Sequence, residues 1–150
     1  AATVHEVGRF DGNKNHHKNT QRRVSKLAPT VGWTRQEIIT MANVARYHRG
    51  ALPQVGRLRD LPAKQRKVIT QLAAILRLAN SLDSGHDGCI KRIRVSQDEG
   101  FILIEAEGLR SDSSLAERIA GARHLLEITC EVPVLVRPIS TRPARTRTSS

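Results

Sequence analysis

The chain has 150 residues, enough for one domain with a small appendage and for a real buried core. It carries a formal net charge of +11, 39% hydrophobic residues and only four aromatics, Phe10, Trp33, Tyr47 and Phe101. So few aromatic platforms argue against stacking on single-stranded bases. No apolar run approaches the roughly 18 residues of a membrane span. A polyanion met through its phosphates is the partner this charge favours. The excess is uneven. Residues 1–60 hold 11 Lys/Arg against 4 Asp/Glu, residues 61–100 hold 7 against 4, and residues 101–150 hold 7 against 6. The basic part also holds His5, His16, His17 and His48. Cys89 and Cys130 are isolated and lack zinc spacing, which predicts free thiols in a reducing, cytoplasmic compartment. No signal peptide pattern is visible. The chain opens on Ala1, without an initiator Met, and is expected to be a fragment of a longer protein.

Residues 1–10 read as the end of a helix with Gly8 as its C-cap, followed by a polar loop over 11–16. A basic helix is expected from His17 to Leu27, with Val24 and Leu27 as apolar contacts. Thr34 and Glu37 form a capping box that opens a helix over 34–48. Ile38, Met41, Ala42 and Ala45 make its apolar stripe, and His48 continues it. Gly50 and Pro53 stop it. Asp60 and Pro62 open the next helix, which runs to about Leu82. Val68, Ile69, Leu72, Ile75, Leu76, Ala79 and Leu82 give it a broad apolar face. After Gly88 the period becomes alternating. Ile90, Ile93 and Val95, then Phe101 and Leu103, predict a β-hairpin turning at 97–100. Residues 111–127 form an amphipathic helix through Leu115, Ile119, Ala122 and Leu126. Residues 132–139 form a last strand edged by Pro133 and Pro138. The tail 140–150 lacks apolar content and is expected to be disordered. The chain is therefore read as mainly α, a helical domain over 1–88 followed by a small β-β-α-β (α+β) unit over 89–139.

The candidate ligands are His5, Glu6, His17, His48 and Asp83, with His16 and Asn80 beside them. They come from different helices or helix ends, and a bundle can bring such residues together. No HExxH spacing supports a zinc-protease reading. His48, framed by Arg46 and Arg49, suits a metal or phosphate pocket. It equally suits a hydrogen-bonded core histidine at a helix end, where the dipole favours a cation. Arg9, Lys18, Arg22, Arg23, Lys26, Arg46, Arg49, Arg57 and Arg59 make either a phosphate-binding track or a solvated basic surface.

The runs Ala1-Ala-Thr-Val-His-Glu-Val-Gly8, His16-His-Lys18, Ala42-Asn-Val-Ala-Arg-Tyr-His-Arg49 and Leu76-Arg-Leu-Ala-Asn-Ser-Leu-Asp83 resemble the C-terminal half of the Ppx/GppA phosphatase family, over residues 1 to about 139. These are exopolyphosphatases and guanosine pentaphosphate phosphohydrolases. The resemblance implies an HD-like helical bundle that accompanies two actin-like lobes absent from these residues. Those lobes carry hydrolysis, with Mg²⁺ or Mn²⁺ in the full-length enzyme. On the HD pattern His5, His17 and His48 match histidines, Glu6 stands where aspartate is expected, and Asn80 stands where the later aspartate is expected, with Asp83 one turn on. Two altered carboxylates in a cationic setting imply a relic pocket that repels a metal and attracts phosphate. The expected partners are polyphosphate or a guanosine polyphosphate, the actin-like lobes, and a second copy in a homodimer. The competing reading is a self-standing metal-dependent HD phosphohydrolase acting on phosphorylated nucleotides.

Overall fold

Thr34 Oγ1 accepts from the Glu37 N–H at 3.2 Å, while the Thr34 N–H donates to Glu37 Oε2 at 2.7 Å. This capping box starts α2, Arg35–Tyr47, and meets two of the donors that a helix start leaves unpaired. The computed structural model describes residues 3–5, 7–11, 15–98, 100–110 and 112–139. The tail expected over 140–150 lies outside them.

Before α2 come a 3₁₀ turn, Val7–Asp11, and α1, His16–Ser25. After it come a short 3₁₀ turn, Val55–Arg57, and the 20-residue α3, Ala63–Leu82. The hairpin follows as β1, Arg92–Asp98, and β2, Phe101–Glu107. Then come α4, Ser113–Cys130, and β3, Val134–Pro138. The sheet order is β1-β2-β3, with β1 antiparallel and β3 parallel to β2. The chain is thus mainly α with a small α+β unit.

Three expectations change. The segment around Gly8 is a 3₁₀ turn, not a helix end, and Gly8 is not in the left-handed region. Glycine is needed there because a Cβ would lie 2.1 Å from the His16 carbonyl and 2.5 Å from the Thr20 nitrogen. The broad face of α3 also splits into two rows. Ile69, Ala73 and Leu76 are buried, whereas Val68, Leu72 and Ile75 are exposed. The two rows share helical spacing but lie about 100° apart. The inner one packs on α2 and α4, where the small Ala73 and Ala74 permit close approach. Val68 and Leu72 of the outer one border an open groove of about 750 Å³ with Trp33 and Met41. Asp60 does not cap α3. Pro62 occupies the N-cap without a side-chain bond.

The change of period at residue 88 is a change of secondary structure within one hydrophobic core. Val44, Tyr47, Ile69 and Leu76 from the helices pack in the same cluster as Ile104, Ile119, Leu126 and Val134. A smaller cluster of Val24, Ile38 and Ala42 joins α1 to α2.

Arg77 fixes the end of α2. Its Nη1 donates to the Tyr47 carbonyl at 3.0 Å and its Nη2 to the Gly50 carbonyl at 2.8 Å. The first is a carbonyl that the helix end cannot satisfy internally, and the second belongs to the turn that follows. Each bond to the cation is worth about 1.5–3 kcal/mol. Arg77→Met is expected to lower unfolding stability by about 3 kcal/mol in a urea titration. Arg77→Lys should recover less than half of that loss, because one ammonium cannot span both carbonyls in the guanidinium's fork geometry.

Candidate functional site

Thr20 builds the first wall of the site. Its hydroxyl accepts from the Gly8 N–H at 2.8 Å and donates to the His5 carbonyl at 3.0 Å. That ties the first described residues to α1. The close approach permitted by Gly8 brings His5 in turn to His48, with ring centroids 4.9 Å apart and edge to face. His16, at the start of α1, and His48, at the end of α2, are 3% and 2% exposed. Their Nε2 atoms are 3.4 Å apart. His48 Nδ1 lies 2.6 Å from the Ala45 carbonyl, which can only accept, so this nitrogen carries its proton. That bond fixes the ring and turns Nε2 toward His16. His17 stands edge-on to His16 at 5.8 Å, with its Nε2 over Gly50.

Next to this cluster is a cleft in two chambers. One, of about 500 Å³, is lined by Arg9, Asn15, His16, His17, Arg49 and Gly50. The other, of about 370 Å³, includes Arg9, His48, Arg49, Asn80, Ser81 and Arg118 in its wall. Arg9 and Arg49 line both, so the chambers meet between them. Arginines, hydroxyls and an amide supply hydrogen-bond donors suited to phosphate oxygens.

Of the expected ligands, His5, His48 and the neighbouring His16 come together, with His17 beside them. Asn80 shares a chamber with His48. Asp83 is exposed and pairs with His86 at 3.4 Å. Glu6 lies outside the described residues. Among the described residues no three His, Cys, Asp or Glu side chains stand in metal-holding geometry.

The expected basic track divides. Arg9 and Arg49 line the cleft. Lys18, Arg22, Arg23 and Lys26 are exposed along α1, and none lines either chamber. Arg22 reaches Asn19 at 2.7 Å. Arg46 lies 5.4 Å over the Tyr47 ring, and its Nη1 is buried with no hydrogen-bond partner among the described residues. Burial, the largest cause, lowers its pKa. Arg57 and Arg59 are exposed, the latter 3.8 Å from Asp60. The sequence reading missed Arg77, Ser81, His86 and Arg118. Arg118 sits on α4, in the part of the chain read as a separate unit. Its only signal is position, one residue before Ile119 on an amphipathic helix.

The chain is a mainly α domain with a cleft walled by arginine and histidine. Residues 1–107 match Ppx/GppA phosphatase, domain III, and the chain belongs to the Ppx/GppA phosphatase family, of which it carries the C-terminal part. The match runs across residue 88 to the end of β2, and α4 and β3 lie past it. No curated protein matches the chain. Among the described residues no helix is long and apolar enough to cross a membrane.

His17 carries a pH signature. Burial first, then the charges of Arg46, His16, Lys18 and Arg49, hold its imidazole at about 4 against an ordinary 6.5. The unfolded chain therefore binds the extra proton between those values, and folding weakens as pH falls from 6.5 towards 4. Denaturation midpoints across this window should decline less steeply in His17→Gln than in the parent.

Proposed function

We propose that this chain is the polyanion-holding part of an exopolyphosphatase or guanosine pentaphosphatase-type phosphohydrolase. In this reading it presents inorganic polyphosphate, or the phosphates of a guanosine polyphosphate, to actin-like lobes that perform hydrolysis. The observation that carries the reading is the sharing of Arg9 and Arg49 by the two chambers. A single pocket would suit one phosphate, whereas two joined chambers suit consecutive phosphates of one chain. Arg118 extends the cationic wall across to α4, and Ser81 and Asn80 add neutral partners. The partly depressed histidine fits the same role. An anion placed beside His17 would favour its charged form, so binding would take up a proton. The HD-like relationship belongs to this proposal as its structural rationale: a pocket that has exchanged carboxylates for neutral and longer side chains receives an anion in place of a cation.

The test is equilibrium binding of a long polyphosphate across a salt series, with released phosphate followed in parallel. Affinity should fall steeply with salt. Arg49→Gln should weaken binding about tenfold and reduce the salt slope by about one. Lys26→Gln, outside the cleft, should change affinity little. Binding should tighten as the pH is lowered from neutral into the mildly acidic range. Salt-independent binding, or none, rejects the proposal. Phosphate release that requires Mn²⁺ and is lost in His48→Ala would instead establish the metal-dependent hydrolase.

A further inference from the structure

The cleft continues past its second chamber. A third cavity, of about 240 Å³, shares Ser84 and Arg118 with that chamber and opens between the loop after α3 and the loop before α4. Gly108, at a φ of +89°, lets the two loops cross, because a Cβ there would collide with the Cys89 carbonyl. The lining differs from that of the other chambers. Leu82, Ile90 and Leu115 give it an apolar floor, and Asp87 and Arg110 give it a wall of both charges. Its volume is below the roughly 300–1,000 Å³ of pockets that hold a whole ligand, and suits one flat ring.

The carboxylate in this wall is set in place. Asp87 Oδ1 accepts from the Cys89 N–H at 3.0 Å, and the Cys89 thiol bonds the same side chain. These bonds, the thiol's first, and then the charge of Arg110 hold its carboxyl below the usual range. An ionised carboxylate offers about four acceptor sites, so it can still receive donors from a ligand. Asp112 also lines the cavity, but its Oδ1 takes the Ser114 N–H at 2.9 Å as the cap of α4. A fixed carboxylate beside a guanidinium, over an apolar floor, selects a flat ring with two adjacent donors and an acceptor next to them. Guanine has that edge: N1–H and the N2 amine for the carboxylate, O6 and N7 for the arginine. Adenine would turn its bare N1 towards the carboxylate, leaving acceptor against acceptor.

We propose that the third chamber is a guanine subsite. The base lies on Leu82, Ile90 and Leu115, donates from N1 and N2 to Asp87, and accepts at O6 from Arg110. Ser84 and Arg118, at the junction, pass its phosphates on to the chambers of Arg49 and Arg9. The subsite rests on the reading of those chambers as phosphate-holding and deepens it, since it favours a guanosine phosphate over bare polyphosphate. Arg110, Leu115 and Arg118 lie past residue 107, where the match to the family's domain III ends.

The experiment is calorimetric titration of the 150-residue chain with guanosine, inosine and adenosine 5′-triphosphates and with inorganic tripolyphosphate, in EDTA, with circular dichroism to verify that each variant is folded. Guanosine triphosphate should bind about tenfold more tightly than adenosine triphosphate or tripolyphosphate. Inosine triphosphate, which keeps N1–H but lacks the N2 amine, should fall between them. Asp87→Asn retains an acceptor for the Cys89 N–H but loses the second acceptor oxygen. It should bring guanosine and adenosine triphosphates within about twofold of each other and leave tripolyphosphate affinity close to the parent's. Arg49→Gln should weaken all four ligands alike. Guanosine triphosphate binding no better than the inosine or adenosine compound overturns the subsite, and so does a preference that survives Asp87→Asn. Either result leaves the phosphate-holding reading standing if tripolyphosphate still binds. A guanine preference lost in Asp87→Asn without any binding of tripolyphosphate would uphold the subsite and reject that reading.

Discussion

The contact on which the site most depends is the fork of Arg77 on the end of α2. A helix terminus exposes carbonyls that carry partial negative charge, and Arg77 places a half-buried cation against one of them, at Tyr47, and against the Gly50 carbonyl of the turn that follows. The distance spanned is short, but the consequences reach across the cleft. His48 and Arg49 lie between those two carbonyls, so their backbone is held from both sides. Gly50 takes a φ of +74° to complete the turn, and His17 rests against it. Arg77, itself in the wall of the second chamber, thus sets where the other cleft-lining residues stand. Burial lowers its pKa, yet a guanidinium remains charged under any condition in which the protein folds.

Much of the fold was legible because its signals are local. The Thr34–Glu37 capping box, the helical period of α3 and the alternation of the hairpin are each written within a few residues, and each forms as expected. The inward row of α3 was harder to read. Val68, Leu72 and Ile75 are as apolar as Ile69 and Leu76, and only the placement of α2 and α4 decides which row is covered. Gly8 illustrates the same limit. Its absent side chain matters because His16 and Thr20 approach it, and that approach is a tertiary fact invisible in a segment that reads as a helix end.

The site follows this division. The approach of His5 to His48 was readable from the resemblance of their motifs to a known family, and Arg49 from its place beside His48. Arg9 was readable as a basic residue but not as the side chain shared by two chambers. Arg118 was unreadable as part of the site, because a helix that supplies one wall to the core gives no local sign that its adjacent face borders a cleft. The exposed arginines and lysines of α1 show the converse. Charge density in a sequence marks a surface, but only concavity makes that surface hold one ligand in one orientation.

The continuity of the core across residue 88 has a mechanical consequence. Leu76 and Leu82 on α3 share their burial with Ile119 and Leu126 on α4, and with Ile104 and Val134 in the sheet. The strands and helices therefore support one another as a single cooperative unit. Force or loss of packing applied at the sheet would be transmitted through α4 to α3, and from there along Arg77 to the turn that carries Arg49. The strand-rich end, far from the histidines in sequence, thereby acts as a buttress for the cleft.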